Sequence, residues 1–95
     1  VEYQIRIYEV RPGEMDAWLD EWRREVVPLR QAHGFQTAAA WQCLDNTCFV
    51  WVLSYDGDFE AADAEYYDSA ERAAIVPDPA RHIQHSDVKM LRRVM

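Results

Sequence analysis

The order of hydrophobic patterns constrains this chain more than any single motif. An alternating run, Tyr3 to Val10, is followed by an amphipathic segment from Gly13 to His33, two further strand-like runs, a second amphipathic segment and a final alternating run. Apolar alternation at a period of two marks strands, and recurrence at three- and four-residue steps marks helices, so the order reads β-α-β-β-α-β. Two helices on one face of a four-stranded sheet give a two-layer α+β domain of the ferredoxin-like kind. Its second sheet face is left without a cover.

In the first run Tyr3, Ile5 and Ile7 share one side, and Gln4, Arg6, Tyr8 and Val10 the other. The more apolar set, Tyr3, Ile5 and Ile7, is expected to face the helices. Pro12-Gly13 ends the strand, and Glu14 and Asp16 bring negative charge to the first helix's unpaired amides. Met15, Trp18, Leu19, Trp22, Val26 and Leu29 form one apolar stripe. Pro28 lacks a backbone donor, which predicts a kink or break after Val27, and His33-Gly34 supplies the helix end.

Phe35 to Trp41 and Cys48 to Tyr55 are expected to pair antiparallel about an Asp45-Asn46 turn. Phe59 to Ala74 reads as the second helix, with Phe59, Ala62, Tyr66, Ala70 and Ala73 inward. Pro77-Asp78-Pro79 then forces a connection, and the last strand is expected near Asp87 to Val94. A length of 95 residues suits one domain, residues 1–95, with no room for a second core.

Twelve aromatic residues are many for so small a surface, and the third strand is apolar on both sides: Phe49, Trp51, Leu53 and Tyr55 against Val50 and Val52. Face-to-face pairing of two uncovered sheets would bury the excess, which predicts a homodimer. Ten Lys and Arg against seventeen Asp and Glu leave a net charge of -7, repulsive to nucleic-acid backbones. No run approaches the roughly 18 apolar residues of a membrane span. The first residues lack the features of a signal peptide, so the chain reads as cytoplasmic, with processing before Val1 left open. Cys43 and Cys48 flank the turn; a bridge there closes too short a loop to be needed, and reduced thiols are expected.

Arg6 and Tyr8 are the leading site candidates. A guanidinium can hold a carboxylate, enolate or phenolate, and a phenol can orient or protonate an oxygen. The competing reading of the pair is an intersubunit salt bridge with an aromatic contact. Trp41 and Trp51 can form an aromatic wall or pack in the sheet. Tyr66 and Tyr67 point in different directions from one helix, one reaching the cavity mouth, and Arg72 can close it or stay solvated.

Among the histidines, His33 caps a helix, while His82 and His85 precede the last strand; His85 is the preferred general base. Glu60, Asp63, Glu65, Asp68 and Glu71 read as a solvated acidic face. No spacing suits a metal, and no phosphate cradle, dinucleotide fingerprint or nucleophile elbow is present.

The chain resembles the NIPSNAP family, within the wider dimeric α/β-barrel superfamily that includes antibiotic-biosynthesis monooxygenases. The resemblance rests on Tyr3-Gln4-Ile5-Arg6-Ile7-Tyr8 before Pro12-Gly13, Trp18 through Pro28, Gly34-Phe35, Trp41, Asn46 through Tyr55, Tyr66-Tyr67-Asp68-Ser69 and Glu71-Arg72. It implies a dimeric α/β barrel, but superfamily members differ in chemistry, so fold does not select a reaction. Some oxygenase branches use an Asn-Trp-His set for which this chain has no secure equivalent, Asn46 falling in a turn.

The favoured reading is a small-molecule enzyme acting without a cofactor on an apolar oxygenated ligand, such as an aromatic or polyketide-like carbonyl compound. Its reaction is proton-transfer isomerisation or cyclisation. The alternatives are a non-catalytic ligand-binding or assembly domain and a cofactor-independent monooxygenase.

Overall fold

A computed structural model describes residues Val1–Met95. Its elements are β1 (Glu2–Val10), α1 (Met15–Glu21), a π-helical turn (Trp22–Val26), α2 (Val27–Ala32), β2 (Phe35–Gln42), β3 (Cys48–Tyr55), α3 (Phe59–Asp68), α4 (Ala70–Ala73), a 3-10 turn (Pro79–His82) and β4 (Ile83–Leu91). The four strands form one antiparallel sheet in the order β2-β3-β1-β4, with the helices on one face. This is the ferredoxin-like α+β arrangement that the pattern order predicts.

Pro28 does not break the first helix. In a regular α-helix its ring would meet the carbonyl of Arg24; the preceding π-turn, where Val27 N–H donates to Trp22 O, widens the ladder just before it. α1 therefore continues into α2, carrying Met15, Trp18, Leu19 and Val26 into the core. Gly34 follows at φ +91°, a left-handed backbone that favours glycine, and a Cβ there would stand 3.1 Å from the Tyr55 ring, a tight contact that the ring would have to relieve by shifting.

The second helix is split. Ser69 adopts an extended conformation, ends α3 and caps α4, its Oγ accepting from Arg72 N at 3.1 Å. Phe59, Ala62 and Tyr66 are buried as expected, whereas Ala70 and Ala73 are exposed on the short α4. β4 begins at Ile83, four residues before the expected start. Cys43 and Cys48 are bridged, not reduced, with Cα atoms 5.1 Å apart. The hairpin itself brings them together, because Cys43 N donates to Cys48 O at 2.9 Å.

The facing of β1 is the reverse of the sequence expectation. Gln4, Arg6, Tyr8 and Val10 are buried beneath the helices, and Tyr3, Ile5 and Ile7 lie on the open face. Pairing extends that open face as rows: Trp41, Val50, Ile7 and Asp87; Ala39, Val52, Ile5 and Lys89. The helix-facing core centres on Phe35, Phe49, Trp51, Leu53 and Phe59, with Trp22 edge-on to Phe49 and Trp51 at ring separations of 5.0 and 5.5 Å.

Candidate functional site

A cavity of about 140 Å³ lies between the helix-facing side of the sheet and the helices. β1 contributes Arg6 and Tyr8, β3 contributes Trp51, α1 and α2 contribute Trp18 and Arg30, and α3 contributes Tyr66 and Tyr67. Arg72, Ser86 and apolar side chains complete the wall. None of its lining residues is a histidine or a carboxylate.

Arg6 organises the sheet side. Its Nε donates to Gln4 Oε1 at 2.8 Å, Nη1 donates to the hydroxyls of Tyr8 at 3.2 Å and Tyr67 at 3.0 Å, and Nη2 reaches Asp63 Oδ1 at 3.2 Å. Burial works against its charge, but the interactions with Tyr8, Tyr67 and Asp63 prevail and raise its pKa, so Arg6 stays charged. The tyrosine contribution needs a tyrosinate and acts only in alkaline solution. Burial pushes the Tyr8 phenol above its ordinary value, with Arg6 opposing, so at neutral pH Tyr8 holds its proton. Tyr66 is likewise raised by burial, against Arg30 and Arg72.

Arg30 is a second buried guanidinium. Its Nη1 donates to Asp63 Oδ1 at 2.7 Å and Nη2 to the Tyr67 hydroxyl at 3.3 Å. Its carbon centre lies 3.8 Å from the Tyr66 ring centroid and 4.6 Å from that of Phe35, a cation held against two π faces. The Tyr67 oxygen thus accepts two charge-assisted bonds, and the Tyr8 oxygen accepts one. Neither phenol donates to a protein acceptor, which leaves both O–H groups free to donate.

Of the residues singled out from sequence, Arg6, Tyr8, Trp51, Tyr66, Tyr67 and Arg72 meet in this cavity, with Tyr67 the exposed one near its mouth. Arg72 is held by Asp78 at 2.8 Å. Trp51 donates Nε1 to Thr37 Oγ1 at 3.1 Å. Trp41 does not join Trp51: they occupy adjacent positions of opposite facing, and Trp41 stands 58% exposed on the open face.

His85 is also outside the cavity. It pairs with Glu9 in the open-face register, its side chain exposed, and so lies across the sheet from Arg6 and Tyr8. His33 follows α2 and packs its ring edge-on to Tyr66 at 5.4 Å. His82 is buried, with Nδ1 2.8 Å from Glu14 Oε1 and Nε2 2.8 Å from Glu21 Oε2.

Arg30 and Asp63 escaped the sequence reading. Asp63 is not part of a solvated face; it is the carboxylate shared by Arg6 and Arg30. The available signal was positional: Arg30 falls four residues after Val26 on the apolar stripe, and Asp63 falls four after Phe59 and four before Tyr67. A charge on a core-facing stripe requires a buried partner.

Comparison with known proteins places this geometry. An uncharacterized NIPSNAP domain protein from Burkholderia xenovorans superposes with a TM-score of 0.83 at 15% identity, over 99% of this chain and 95% of that one. A NIPSNAP family protein from Agrobacterium tumefaciens gives 0.85 at 16% identity, over 98% and 92%. An antibiotic biosynthesis monooxygenase gives 0.73 at 18% identity, over 100% of both chains. At such identities the superpositions establish a shared fold. No curated protein matches the chain. The NIPSNAP family model, however, matches residues 3–94, and the chain belongs to the NIPSNAP family.

Proposed function

We propose that residues 1–95 form one dimeric α/β-barrel unit, a small-molecule enzyme that isomerises or cyclises an oxygenated carbonyl compound through its enolate. The carrying observation is that Arg6 Nη1 donates to both Tyr8 and Tyr67, leaving two polarised phenol O–H groups free to donate. Loss of a proton beside a carbonyl moves the C–H electron pair toward oxygen, and donors already aimed at that oxygen stabilise the charge as it develops.

The lining residues offer no histidine or carboxylate as an acceptor. A compound acidic enough to release its carbon-bound proton to water, such as a 1,3-dicarbonyl, fits that lining. Where a C=C bond beside the acidic carbon extends the enolate, Tyr8, still protonated at neutral pH, then returns a proton at the far carbon of that dienolate and recovers its own from solvent, with no change of oxidation state. His85 takes no part in this scheme.

The test is deuterium exchange at the acidic carbon of a 1,3-dicarbonyl panel. Wild type should exceed background, and Tyr8→Phe and Arg6→Gln should each lower the rate on the order of 100-fold. A folded wild type that never exceeds background across the panel sinks the catalytic reading. Oxygen uptake with the same compounds would assign the cofactor-independent monooxygenase instead. The lack of an acidic or imidazole acceptor in the lining favours one competitor, a non-catalytic domain that binds the same ligand class.

The homodimer is part of this reading. Ile5, Ile7, Val50, Val52 and Trp41 make the open face apolar, and a second copy turned face to face supplies a complementary surface for each row.

A further inference from the structure

The open face of the sheet carries a projection beside a recess. Trp41, 58% exposed, rises from β2 in the row Trp41, Val50, Ile7 and Asp87. In the neighbouring row, Ala39, Val52, Ile5 and Lys89, the β2 position is an alanine. The bulge between Thr37 and Ala39 adds a second small residue, Ala38, and there a hollow of about 480 Å³ opens, lined by Tyr3, Ala38, Val52, Leu91, Arg92 and Arg93. An indole projecting into water beside a hollow walled by alanine and valine leaves apolar surface uncovered on both, the mark of an interaction site.

The same two rows end on β4 in opposite charges. Asp87 closes the Trp41 row, and Lys89, the only lysine of the chain, closes the Ala39 row. Within one copy Asp87 reaches only His85, at 3.5 Å, and Lys89 stands exposed without a carboxylate partner. Large against small on β2 and acid against base on β4 are therefore each offset by one row, at the two edges of the sheet.

A two-fold axis that turns two such sheets face to face lies in the plane between them. An axis along the strands keeps each row opposite its own copy and exchanges β2 with β4, so Trp41 falls on the partner's Asp87 and Ala39 on the partner's Lys89. That arrangement strips water from both charges and pairs neither. An axis across the strands, between the two rows, sets each row against the other and each strand against its own copy. Trp41 then enters the recess at the partner's Ala39, Val50 meets the partner's Val52, Ile7 meets the partner's Ile5, and Asp87 meets the partner's Lys89, every contact being made twice. Aligned sheets cross at about 30°, and the long lysine stem spans the offset this creates at an edge strand.

We propose that a second copy docks on the open face with its strands antiparallel to the first, about a two-fold axis that crosses the strands between the Trp41 and Ala39 rows. Shape and charge select the same axis independently, and a face complementary to itself under one operation fits a second copy rather than an unrelated partner. The arrangement rests on the homodimer of the proposed function and gives it an orientation.

Sedimentation velocity of the full chain tests it, with circular dichroism checking that each variant keeps its fold; the substituted positions are all exposed or half-buried in a single copy. Asp87→Lys and Lys89→Asp should each weaken self-association at least roughly 100-fold, because like charges then meet twice. Mixed in equal amounts, the two variants should regain a dimer of one copy each, since positions 87 and 89 again face opposite charges. Within either variant chain those positions carry like charges, so pairing inside one chain cannot produce the recovery. Trp41→Ala should weaken association at least roughly 30-fold. Adding Ala39→Trp, which moves the projection by one row, should recover most of that loss.

A wild-type dimer whose affinity survives the charge reversals, or which shows no recovery in the charge mixture or with the transposed tryptophan, would overturn this orientation and leave the homodimer standing. A monomeric wild type would overturn both, while the cavity chemistry, read by deuterium exchange, would be untouched.

Discussion

Asp63 on α3 holds Arg30 on α2 at 2.7 Å, and the same carboxylate takes Arg6 from the sheet at 3.2 Å. One acidic side chain thus compensates two buried guanidinium groups and ties both helical segments to β1. Asp63→Asn would leave those cations without an ionised partner. Because the Asp63 side chain is 22% exposed, the cost should fall between that of an exposed pair and a fully buried one, about 2 to 3 kcal/mol. Urea unfolding measures it, and a variant as stable as wild type would refute the role given to this carboxylate.

Alkaline solution should unfold the protein through its tyrosines. Burial raises the Tyr8 and Tyr66 phenols above the ordinary value of about 10. Above that value the unfolded chain loses these protons while the folded chain keeps them, so the folded state binds more protons and stability falls as pH rises. Urea midpoints followed upward from about pH 9 should decline, and Tyr8→Phe and Tyr66→Phe should each make the decline shallower. A slope unchanged in both variants would rule out these groups as its source.

Pattern order was enough to read the element sequence and the antiparallel hairpin, because strand and helix periods differ and turn residues separate them. Facing was not legible in β1. Both sides of that strand are partly apolar, and ranking them by hydrophobicity favours Tyr3, Ile5 and Ile7; the fold instead buries Arg6 and Gln4 because Asp63 and two tyrosines meet them there. That partnership spans 57 residues, and nothing within β1 itself signals it.

The misplacement of Trp41 beside Trp51 has a different origin. Adjacent β2 positions Ala40 and Trp41 pair with adjacent β3 positions Trp51 and Val50, and a bulge between Thr37 and Ala39 sets that register. The placement of His85 was illegible for a related reason: β4 begins at Ile83, so it falls inside a strand, on the side away from the cavity.

If the open face is a dimer interface, one charge at its centre should separate the copies. Val50 lies between Trp41 and Ile7 in a single row. Val50→Asp would bury an unpaired carboxylate in a dimer but place it in water in a monomer, so association should weaken by several kcal/mol while the sheet persists. Sedimentation velocity at low concentration should show a dimer for wild type and a monomer for the variant. A wild type already monomeric over the working range would remove the dimer from the proposed function.

The acid limit of stability should trace to the clamp around His82. Its ring bridges Glu14 on one side and Glu21 on the other, each at 2.8 Å, and Arg81 meets both oxygens of Glu21 at 2.8 and 2.9 Å. The clamp fastens the start of β4 to the first helix. Hydrogen bonds from Arg81, and then from His82, hold the Glu21 carboxyl below its ordinary value against the opposing effect of burial. Below the ordinary glutamate range the unfolded chain therefore takes up a proton before the folded chain does, and stability is lost as pH falls through the depressed value. Glu21→Gln should flatten that acid limb in urea titrations, while His82→Ala, which leaves two carboxylates facing one another, should lower stability at neutral pH by about 1 to 3 kcal/mol. An acid limb of unchanged slope in Glu21→Gln would assign the loss to another carboxylate, with Asp78, where the opposing effect of burial is outweighed by Arg72 and the carboxyl is held low, the next to test.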